Sequence, residues 1–314
     1  MQLRPLSFCL LLLVAPSIAD AATINVPGDV ATIRDAIRLA EAGDTILVAA
    51  GTYEETIRIK RLDNLTLTAD DGVTLEPGDD RDAIVVRSSD GVTISNFEIT
   101  TAAYAVRLVH CDDALILDNT ITGTRAGMLV TMGNGNVLMG NTIENLTGAV
   151  SELGIPYGGN AIRIQKSTNA VVQDSSISSD LDVPLGDGIV GYRADAAIFR
   201  DNDVSGLGRN CMRLRKSPDV QIVGENVCSD NLLSGIRVNK SANVTVNGAD
   251  ASGNGRLGIF VRKSEGITLT NNTADFNERY GIRSKKSLPV TSVGALIAAG
   301  NTASGNGTNY WVDN

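Results

Sequence analysis

The feature that most constrains the fold is a tandem repeat of about 23 residues in which arginine and lysine recur at the same positions. The clearest copies read Ala161-Ile-Arg-Ile-Gln-Lys-Ser167, Cys211-Met-Arg-Leu-Arg-Lys-Ser217 and Gly235-Ile-Arg-Val-Asn-Lys-Ser241. Units that repeat at a fixed period stack on one another, which places side chains of equal phase in rows along the stack. Weaker copies extend the series, so that units begin at residues 56, 83, 105, 127, 161, 188, 211, 235, 258 and 281.

Short strands are indicated by the distribution of apolar residues within each unit. Ile236 and Val238 are followed by Val244 and Val246, with polar residues between them. Such alternation in short runs predicts strands that bury one face. No helical pattern long enough for a crossover separates these runs, which excludes a doubly wound sheet. The sequence therefore predicts an all-β chain folded as a single parallel β-helix of about ten coils.

An asparagine recurs after the second strand of many units, and we expect these amides to form a ladder inside the coil. Buried polar groups must be hydrogen-bonded, and equal phase places each amide next to its counterpart in the following unit. The asparagines concerned are Asn96, Asn119, Asn141, Asn202, Asn226 and Asn272.

The start of the repeat region is predicted to be a short helical cap. Thr32 followed by Asp35 forms a capping box, and Gly43 ends the run. An amphipathic helix at this place would cover the first coil and prevent edge-to-edge aggregation. Its apolar face consists of Ile33, Ala36, Ile37 and Ala40.

The segment Val26-Pro-Gly-Asp-Val-Ala-Thr-Ile-Arg-Asp-Ala-Ile37, with Gly43-Asp-Thr-Ile46 and Gly51-Thr-Tyr53, resembles the N-terminal signature of the pectate-lyase-like right-handed parallel β-helix superfamily. The resemblance covers nearly the whole mature chain and implies a right-handed solenoid. That superfamily contains polysaccharide lyases, hydrolases, epimerases and non-catalytic adhesion or accessory proteins, so the fold alone does not decide an activity.

Residues 1–21 have the pattern of a secretory signal, with Arg4 before an apolar run and Ala19-Asp20-Ala21 as the cleavage site. The apolar run is too short to span a bilayer, so we expect a secreted or periplasmic protein without membrane insertion. The chain then divides into a signal peptide at 1–21, a cap with the strand that leads into the first coil at 22–55, β-helix repeats at 56–304 and a C-terminal tail at 305–314.

Three cysteines remain after cleavage, namely Cys111, Cys211 and Cys228. Cys211 replaces the Gly or Ala that opens other units, and Cys111 stands where other units have Ser. We expect all three to be small packing residues, with a Cys211–Cys228 disulfide as the alternative. Their spacing is not that of a zinc site, and we expect no metal ligands among them.

Lysine and arginine concentrate on one face of the predicted solenoid. If each unit is numbered from the residue before its first inward Ile, positions 0, +2 and +4 should face outward, with −2 and +5 in the flanking turns. Of 17 Lys and Arg between residues 161 and 287, 16 fall at −2, +2, +4 or +5, whereas none of the 14 Asp and Glu does. Position 0 is Gly, Ala or Cys in nearly every unit, which predicts turn residues with special backbone angles and also a trough along the stack.

A face of one charge sign is tolerated where a bound polyanion supplies the opposite charge. Nucleic acid is excluded as the partner, because the chain has a net charge of −9 and only 4% aromatic residues. The planar guanidinium group binds carboxylates at two points. We therefore expect an extended acidic polysaccharide, such as a polyuronate, held by Arg163, Asp187, Arg213, Arg215, Lys216, Arg237 and Arg283.

Two insertions flank the middle of this face and would wall the trough. Residues 147–160 carry Glu152 and Tyr157, and residues 179–187 carry Asp180, Asp182 and Asp187. Loops over a rigid scaffold are frequent places for functional sites. Next to them Tyr192 projects at +4, between Gln165 and Arg215.

β-Elimination of a uronate requires a cation to neutralise the carboxylate, a base to remove the neighbouring proton and an acid to assist the leaving oxygen. Lys240 at +5 and Arg262 at +4 of the next unit resemble the base and acid of one polysaccharide-lyase family of this fold, active on alginate and dermatan-type chains. Tyr192 is the alternative base. That family's acidic calcium ligands are missing before Lys240, where the chain reads Leu232-Leu-Ser-Gly235. We expect no cofactor, and calcium could take part only through ligands that the sequence does not identify.

Two functions remain open at this point. One is a polysaccharide lyase, or less favourably a uronan epimerase, and the other is a non-catalytic carbohydrate-binding or surface protein. An Asp-Pro-His motif and a Gly-His-Gly motif are both missing, and His110 is the only histidine. The two insertions that converge on the middle of the basic face favour the lyase.

Overall fold

Short strands wind the chain into a right-handed parallel β-helix of about 11 turns, which confirms the predicted fold class. The computed structural model describes residues 21–150, 156–157, 159–179, 186–289 and 292–313. The following predicted features lie outside the described residues: positions 1–20 of the signal, Glu152, Asp180, Asp182 and the side chain of Tyr157.

Each turn passes through up to three parallel sheets in the order first, second, third. The first sheet consists of Thr23–Val26, Thr45–Val48, Thr66–Ala69, Thr93–Ser95, Leu115–Leu117, Val137–Met139, Val171–Gln173, Ile198–Arg200, Gln221–Val223, Thr245–Asn247 and Thr268–Thr270. The second consists of Gly51–Tyr53, Val73–Leu75, Glu98–Ile99, Thr120–Thr122, Thr142–Glu144, Ser176–Ser178 and Asp203–Val204. The third consists of Ile57–Lys60, Ile84–Arg87, Tyr104–Val109, Ala126–Thr131, Ile162–Thr168, Ile189–Asp195, Asn210–Arg215, Ser234–Asn239, Leu257–Arg262, Tyr280–Lys285 and Thr308–Asp313.

The described residues also form two helices, Ile33–Leu39 and Val293–Ala298, and a short antiparallel pair, Ala149–Val150 with Pro156–Tyr157. The first helix begins as predicted, because the Thr32 side chain accepts a hydrogen bond from the backbone N–H of Asp35 at 3.1 Å. Its buried residues Ile33 and Ala36 join the core of the first turn. Neither of these helices is long and apolar enough to cross a membrane.

The core consists of inward rows that continue from turn to turn. In the third sheet Ile236, Ile259 and Ile282 are cross-strand partners, and all three are fully buried. The strand Thr308–Asp313, which we assigned to a tail, pairs in parallel with Tyr280–Lys285 and adds an eleventh strand to the third sheet. The solenoid is therefore one turn longer than the repeat count predicted.

The predicted asparagine ladder is present, and a second ladder accompanies it. Asn119 donates from Nδ2 to Oδ1 of Asn141 at 3.1 Å, and the pairs Asn202–Asn226 and Asn272–Asn301 repeat this bond. The prediction for Asn96 is wrong, because Asn96 is exposed and its neighbour Phe97 takes the inward place. The second ladder, at the corner before the third sheet, consists of Asn231, Asn254, Asn277 and Asn306.

The small residues at position 0 face the interior, and our prediction of an outward trough is wrong. A Cβ added to Gly235 would lie 2.8 Å from the Cβ of Ala251, which is itself fully buried. The cross-strand register pairs Asn210 with Ser234, so position −1 takes the outward place and positions 0 and +1 both turn inward. Position 0 is small because the corner of the coil has no room for a larger side chain.

The cysteines differ in role. Cys211 and Cys228 form a disulfide with a Cα–Cα distance of 5.3 Å, which corrects our expectation that all three only pack. Cys111 is free and buried, with its Sγ 3.4 Å from the carbonyl oxygen of Val86. Burial raises the pKa of the Cys111 thiol above its ordinary value, so this residue behaves as a packing group.

Candidate functional site

Three rows of outward side chains run along the third sheet between residues 163 and 285. The row at +2 consists of Arg163, Val190, Arg213, Arg237, Phe260 and Arg283. The row at +4 consists of Gln165, Tyr192, Arg215, Asn239, Arg262 and Lys285. The row at −1 consists of Asp187, Asn210, Ser234, Leu257 and Tyr280.

Asp187 is a buried carboxylate on this otherwise basic face, with 2% of its surface exposed. Its Oδ2 lies 2.6 Å from Nε of Arg213, and its Oδ1 lies 4.0 Å from Nε of Arg209. The Nε–H of Arg213 is not aligned for a hydrogen bond, so this contact is an ion pair. Asn210 donates a hydrogen bond from Nδ2 to Oδ1 of Asp187 at 2.5 Å. Asp187 thus holds Arg213 and Asn210 in place.

Two adjoining hollows lie beside Asn210, Arg209 and Arg213. One, of about 270 Å³, includes Arg213, Arg215 and Asn239, and the other, of about 190 Å³, includes Ser234 and Phe260. They share three residues, Asn210, Leu233 and Arg237. The six arginines that line one or both hollows from the −2 and +2 positions are called the arginine cluster: Arg209, Arg213, Arg237, Arg256, Arg279 and Arg283.

The arginine cluster has more positive charge than the described side chains around it neutralise. Asp187 pairs with Arg209 and Arg213. The other four have no carboxylate within 4.0 Å among the described residues. Burial and the repulsion from Arg213 both lower the pKa of Arg237 from its ordinary value, although guanidinium stays protonated in proteins. The cluster is therefore a place where an added anion would gain attraction that the protein itself does not supply.

Aromatic rings separate the arginines at the C-terminal end of the cluster. Phe260 lies between Arg237 and Arg283, and each guanidinium carbon is 5.6 Å from its ring centroid. Tyr280 lies 4.8 Å from the guanidinium of Arg283. Such cation–π contacts hold the planar groups beside the rings and relieve part of the charge repulsion between neighbouring turns.

Tyr192 occupies the predicted place in the +4 row, between Gln165 and Arg215. Its ring lies 5.6 Å from the guanidinium of Arg193 and 6.0 Å from that of Arg215. The phenol is half-buried and lies on the same face as the arginine cluster, one row away.

The predicted base Lys240 lies apart from the arginine cluster, in the turn after the third sheet. Lys216, Lys240 and Lys263 all have left-handed backbone conformations, with φ of 54°, 53° and 50°, and all are exposed. They line a separate open hollow that also contains Glu265. Lys240 meets Arg262 through the backbone, where its N–H donates to the Arg262 carbonyl at 3.0 Å.

The predicted binding residues therefore fall into separate groups. The structure brings Arg213, Arg237 and Arg283 together along the two hollows, and the buried Asp187 contacts Arg213. Arg215 lines one of these hollows, Arg163 is separated from Arg213 by Val190, and Lys216 belongs to the lysine turn.

Sequence reasoning identified Asp187 but missed the other residues of the −1 row as part of the site. We assigned no role to Asn210, Ser234 or Tyr280, because position 0 was expected to face outward in their place. The signal that could have identified them is the run of polar residues at −1 in three successive units, Asp187, Asn210 and Ser234. Phe260 was also missed, since it replaces an arginine in the +2 row.

Two family profiles match separate parts of the chain. The family described as "Right handed beta helix region" matches residues 187–310, and "Periplasmic copper-binding protein (NosD)" matches residues 37–183. No curated protein sequence matches the chain.

Several solved structures share the fold at low sequence identity. The Dettilon tailspike protein (gp208) is 14% identical, with a TM-score of 0.60 over 92% of this chain and 68% of that one. The surface protein and adhesin PfbA of Streptococcus pneumoniae is 12% identical, with a TM-score of 0.59 over 90% and 93% of the two chains. A mutant of the periplasmic alginate epimerase AlgG is 14% identical, with a TM-score of 0.51 over 93% and 83%. At these identities the likeness concerns the fold alone.

The copper named in one family description does not fit the residues that this structure describes. Copper prefers Cys, Met and His ligands. In the matched segment, His110 and Met132 are exposed at the +5 position of successive turns, whereas Cys111 and Met128 are buried. Met139 is half-buried, and its Sδ accepts a hydrogen bond from Nε2 of Gln173 at 3.0 Å. No group of three or more His, Cys, Asp or Glu that could hold a metal occurs among the described residues.

Proposed function

We propose that this chain, a member of the right-handed parallel β-helix superfamily, is an exported protein that binds an acidic polysaccharide of the polyuronate class along the arginine cluster. The observation that carries the proposal is the excess of arginine over carboxylate in the two adjoining hollows. Four of the six guanidinium groups face the hollows without a carboxylate partner among the described residues. A polymer with a carboxylate on every sugar would supply those partners in succession.

The geometry of the rows favours an extended ligand. Arg213, Arg237 and Arg283 lie in one row at +2, and successive strands of the sheet are about 4.8 Å apart. A small anion would satisfy one or two of these groups and leave the rest repelling one another. Export of the chain is supported by the signal pattern at residues 1–21. Proteins of this fold include one named as a periplasmic alginate epimerase and one named as a surface adhesin.

Binding is tested by calorimetry and by retention on immobilised polygalacturonate and alginate, with neutral dextran as the control polymer. We expect retention on the two polyuronates, weakening as salt is added, because half-exposed charges are screened. Arg237→Gln should weaken binding about tenfold, since it removes a half-buried charge from the centre of the cluster.

The matched control for Arg237→Gln is Arg200→Gln. Arg200 is exposed on the first sheet, on a different face of the solenoid, and its replacement removes the same charge. Equal losses in the two variants would mean that only net charge matters and would refute a site at the arginine cluster. Absence of binding to both polyuronates would refute the proposed function itself.

A second function, β-elimination within the bound polymer, is favoured by the place of Tyr192. Its phenol lies on the binding face beside Arg193 and Arg215. In that reaction a base removes the C5 proton of a uronate, a C4–C5 double bond forms, and the C4–O bond breaks as the leaving oxygen takes a proton. Tyr192 is the proposed base, and Lys240 with Arg262 is the alternative that the family resemblance suggested.

Elimination is tested by the ultraviolet absorbance of the unsaturated product, with wild type, Tyr192→Phe and Lys240→Ala. A rise in absorbance that is lost in one variant while polymer binding persists would establish a lyase and identify its base. A flat trace with polymer binding intact would leave a binding protein and reject the lyase.

A further inference from the structure

A patch of aromatic rings and arginine continues the binding face past the two hollows, to the last strand of the third sheet. Trp311 is the cross-strand partner of Arg283 in the +2 row. Its ring centroid lies 5.9 Å from that of Tyr280 in an edge-on arrangement, and 44% of Trp311 is exposed. The guanidinium of Arg283 lies 4.8 Å from the Tyr280 ring.

Closing the end of the solenoid does not require Trp311. Its two neighbours in the strand perform that role, since Tyr310 and Val312 are partly buried and pack against the core. Tyr310 also donates a hydrogen bond from its hydroxyl to the carbonyl of Asn301 at 2.8 Å. Because side chains alternate along a strand, Trp311 points to the opposite side, onto the basic face. On that face Trp311 contacts the Tyr280 ring by its edge and keeps 44% of its surface exposed.

We infer that Trp311 and Tyr280, together with Arg283 of the arginine cluster, form an end subsite for one sugar residue of an acidic polysaccharide. The inference rests on the proposed function and extends it. An indole ring offers an apolar face for the C–H side of a pyranose ring, and Arg283 offers a two-point partner for its carboxylate. Trp, Tyr and Arg are also the residue types that contribute most binding energy in protein–protein interfaces.

The path from the central hollows to this subsite is continuous. The smaller hollow is lined by Arg256, Phe260, Arg279 and Arg283, so it reaches the strand that carries Tyr280. From the strand of Arg237 to that of Trp311 there are three strand spacings, about 14 Å in total. A polymer bound at Arg237 therefore needs several sugar residues to reach Trp311, and a single uronate cannot occupy both places.

The acidic residue in the last strand does not oppose an anionic ligand here. Asp313 lies at +4 beside Lys285, and its Oδ2 is 3.3 Å from the Lys285 Nζ. This pair neutralises Asp313, while Arg279 and Arg283 have no carboxylate within 4.0 Å among the described residues. The electrostatic attraction of the face thus extends to its C-terminal end.

Trp311 is the single tryptophan of the protein, so its fluorescence reports on this subsite alone. We would titrate wild type with galacturonate and with oligogalacturonates of increasing length, and measure binding by calorimetry in parallel. A monomer binds the subsite without the contacts that hold a longer chain at the arginine cluster, so we expect it to change the emission only at concentrations far above those needed for the oligomers. Oligomers long enough to span about 14 Å should shift or quench the emission with the same midpoint as the calorimetric binding.

Variants then separate the subsite from the arginine cluster. Trp311→Leu should weaken binding of long oligomers about tenfold and leave that of the shortest binding oligomer unchanged, because only long ligands use the subsite. Phe276→Leu is the matched control, since Phe276 is 71% exposed on a turn outside the third sheet. Equal losses in both variants, or for all lengths, would overturn the inference.

The outcomes distinguish this inference from the proposed function. Calorimetric binding without an emission change at any oligomer length would refute the subsite and leave the arginine cluster in place. Absence of calorimetric binding would refute both. An emission change that follows protein concentration and not ligand concentration would assign Trp311 to a contact between copies of the chain, and would overturn the subsite. The wild-type titration decides between these outcomes even if Trp311→Leu does not fold.

Discussion

Asp187→Asn is the substitution that tests the electrostatic organisation of the site most directly. The change keeps the size of the side chain and a hydrogen-bonding partner for Asn210, and it removes the carboxylate that faces Arg213 and Arg209. After the change, the six arginines of the arginine cluster have no carboxylate within 4.0 Å among the described residues. We expect a less stable free protein that gains more stability from an acidic polysaccharide than the wild type does.

The magnitude follows from the contacts of Asp187. Breaking a fully buried ion pair costs about 3–5 kcal/mol. The Arg213 side chain is 33% exposed and that of Arg209 is 52% exposed, so water screens both partners. The cost of losing the carboxylate should therefore be smaller than that of breaking a fully buried ion pair. We therefore expect the free energy of unfolding to fall by about 2 kcal/mol. Bound polyuronate should recover part of this loss, because its carboxylates replace the missing partner of Arg213.

The assay is denaturant unfolding, followed by circular dichroism, with and without polygalacturonate. Asp71→Asn is the matched control, since Asp71 is exposed in a turn of an early coil, and it should change the free energy of unfolding by less than about 0.5 kcal/mol. If Asp187→Asn were as stable as Asp71→Asn, the Asp187–Arg213 contact would not hold the site together. If polymer stabilised the variant no more than the wild type, the arginine cluster would not be the place where carboxylates bind.

Three further predictions concern the scaffold. Gly235→Ala should lower the free energy of unfolding by about 1–3 kcal/mol, because the added Cβ would lie 2.8 Å from both the Ala251 Cβ and the Gly258 carbonyl oxygen. The control Gly294→Ala adds a Cβ with no neighbour closer than 3.9 Å, so the free energy of unfolding in the same denaturation experiment should stay equal or rise. Reduction of the Cys211–Cys228 disulfide should lower the free energy of unfolding by about 3 kcal/mol, and an unchanged midpoint with reductant would contradict a structural role. Cys111 should react with a thiol reagent only as the protein unfolds, because burial raises the pKa of its thiol and shields Sγ from the reagent. Rapid labelling of the folded protein at pH 7, with its disulfide intact, would disprove this.

The sequence predicted the solenoid because period and alternation act on every turn at once. Ile236 recurs in phase with Ile259 and Ile282, and a parallel stack is the arrangement that buries all three. The cap of the first helix was also predictable from the sequence, since Thr32 and Asp35 interact within the first turn of that helix. Local spacing and repeated spacing were sufficient for these features.

Corners of the coil were not predictable in the same way. Simple alternation places position 0 outward, whereas the chain turns both Cys211 and Met212 inward where the second ladder meets the third sheet. Alternation therefore hid the outward place of Asn210. The same limit applies to Asn96, because a shift of one residue decides which side chain faces inward. Asn96 is exposed, and the next residue, Phe97, is buried.

The site was predicted as a charge pattern and not as a geometry. Basic residues recur at both +2 and +5, and the sequence alone does not distinguish the locations of these two positions. The backbone separates them, because Lys240 has φ of 53° and leaves the sheet at the turn, while Arg237 stays on the face. The contact between Asp187 and Arg213 joins neighbouring turns, 26 residues apart in the chain, which no motif within one unit records.

The second asparagine ladder makes the coils interchangeable. Asn231, Asn254 and Asn277 each donate from Nδ2 to Oδ1 of the asparagine in the next turn, so each turn offers the next one the same connection. A duplicated or deleted unit in this region would preserve the interior bonding while it lengthened or shortened the outer rows by about 4.8 Å. The length of the binding face can thus change without a loss of the bonds that stabilise the scaffold. A gene that gains or loses whole repeats would change the length of ligand that its protein recognises, by one strand spacing per repeat.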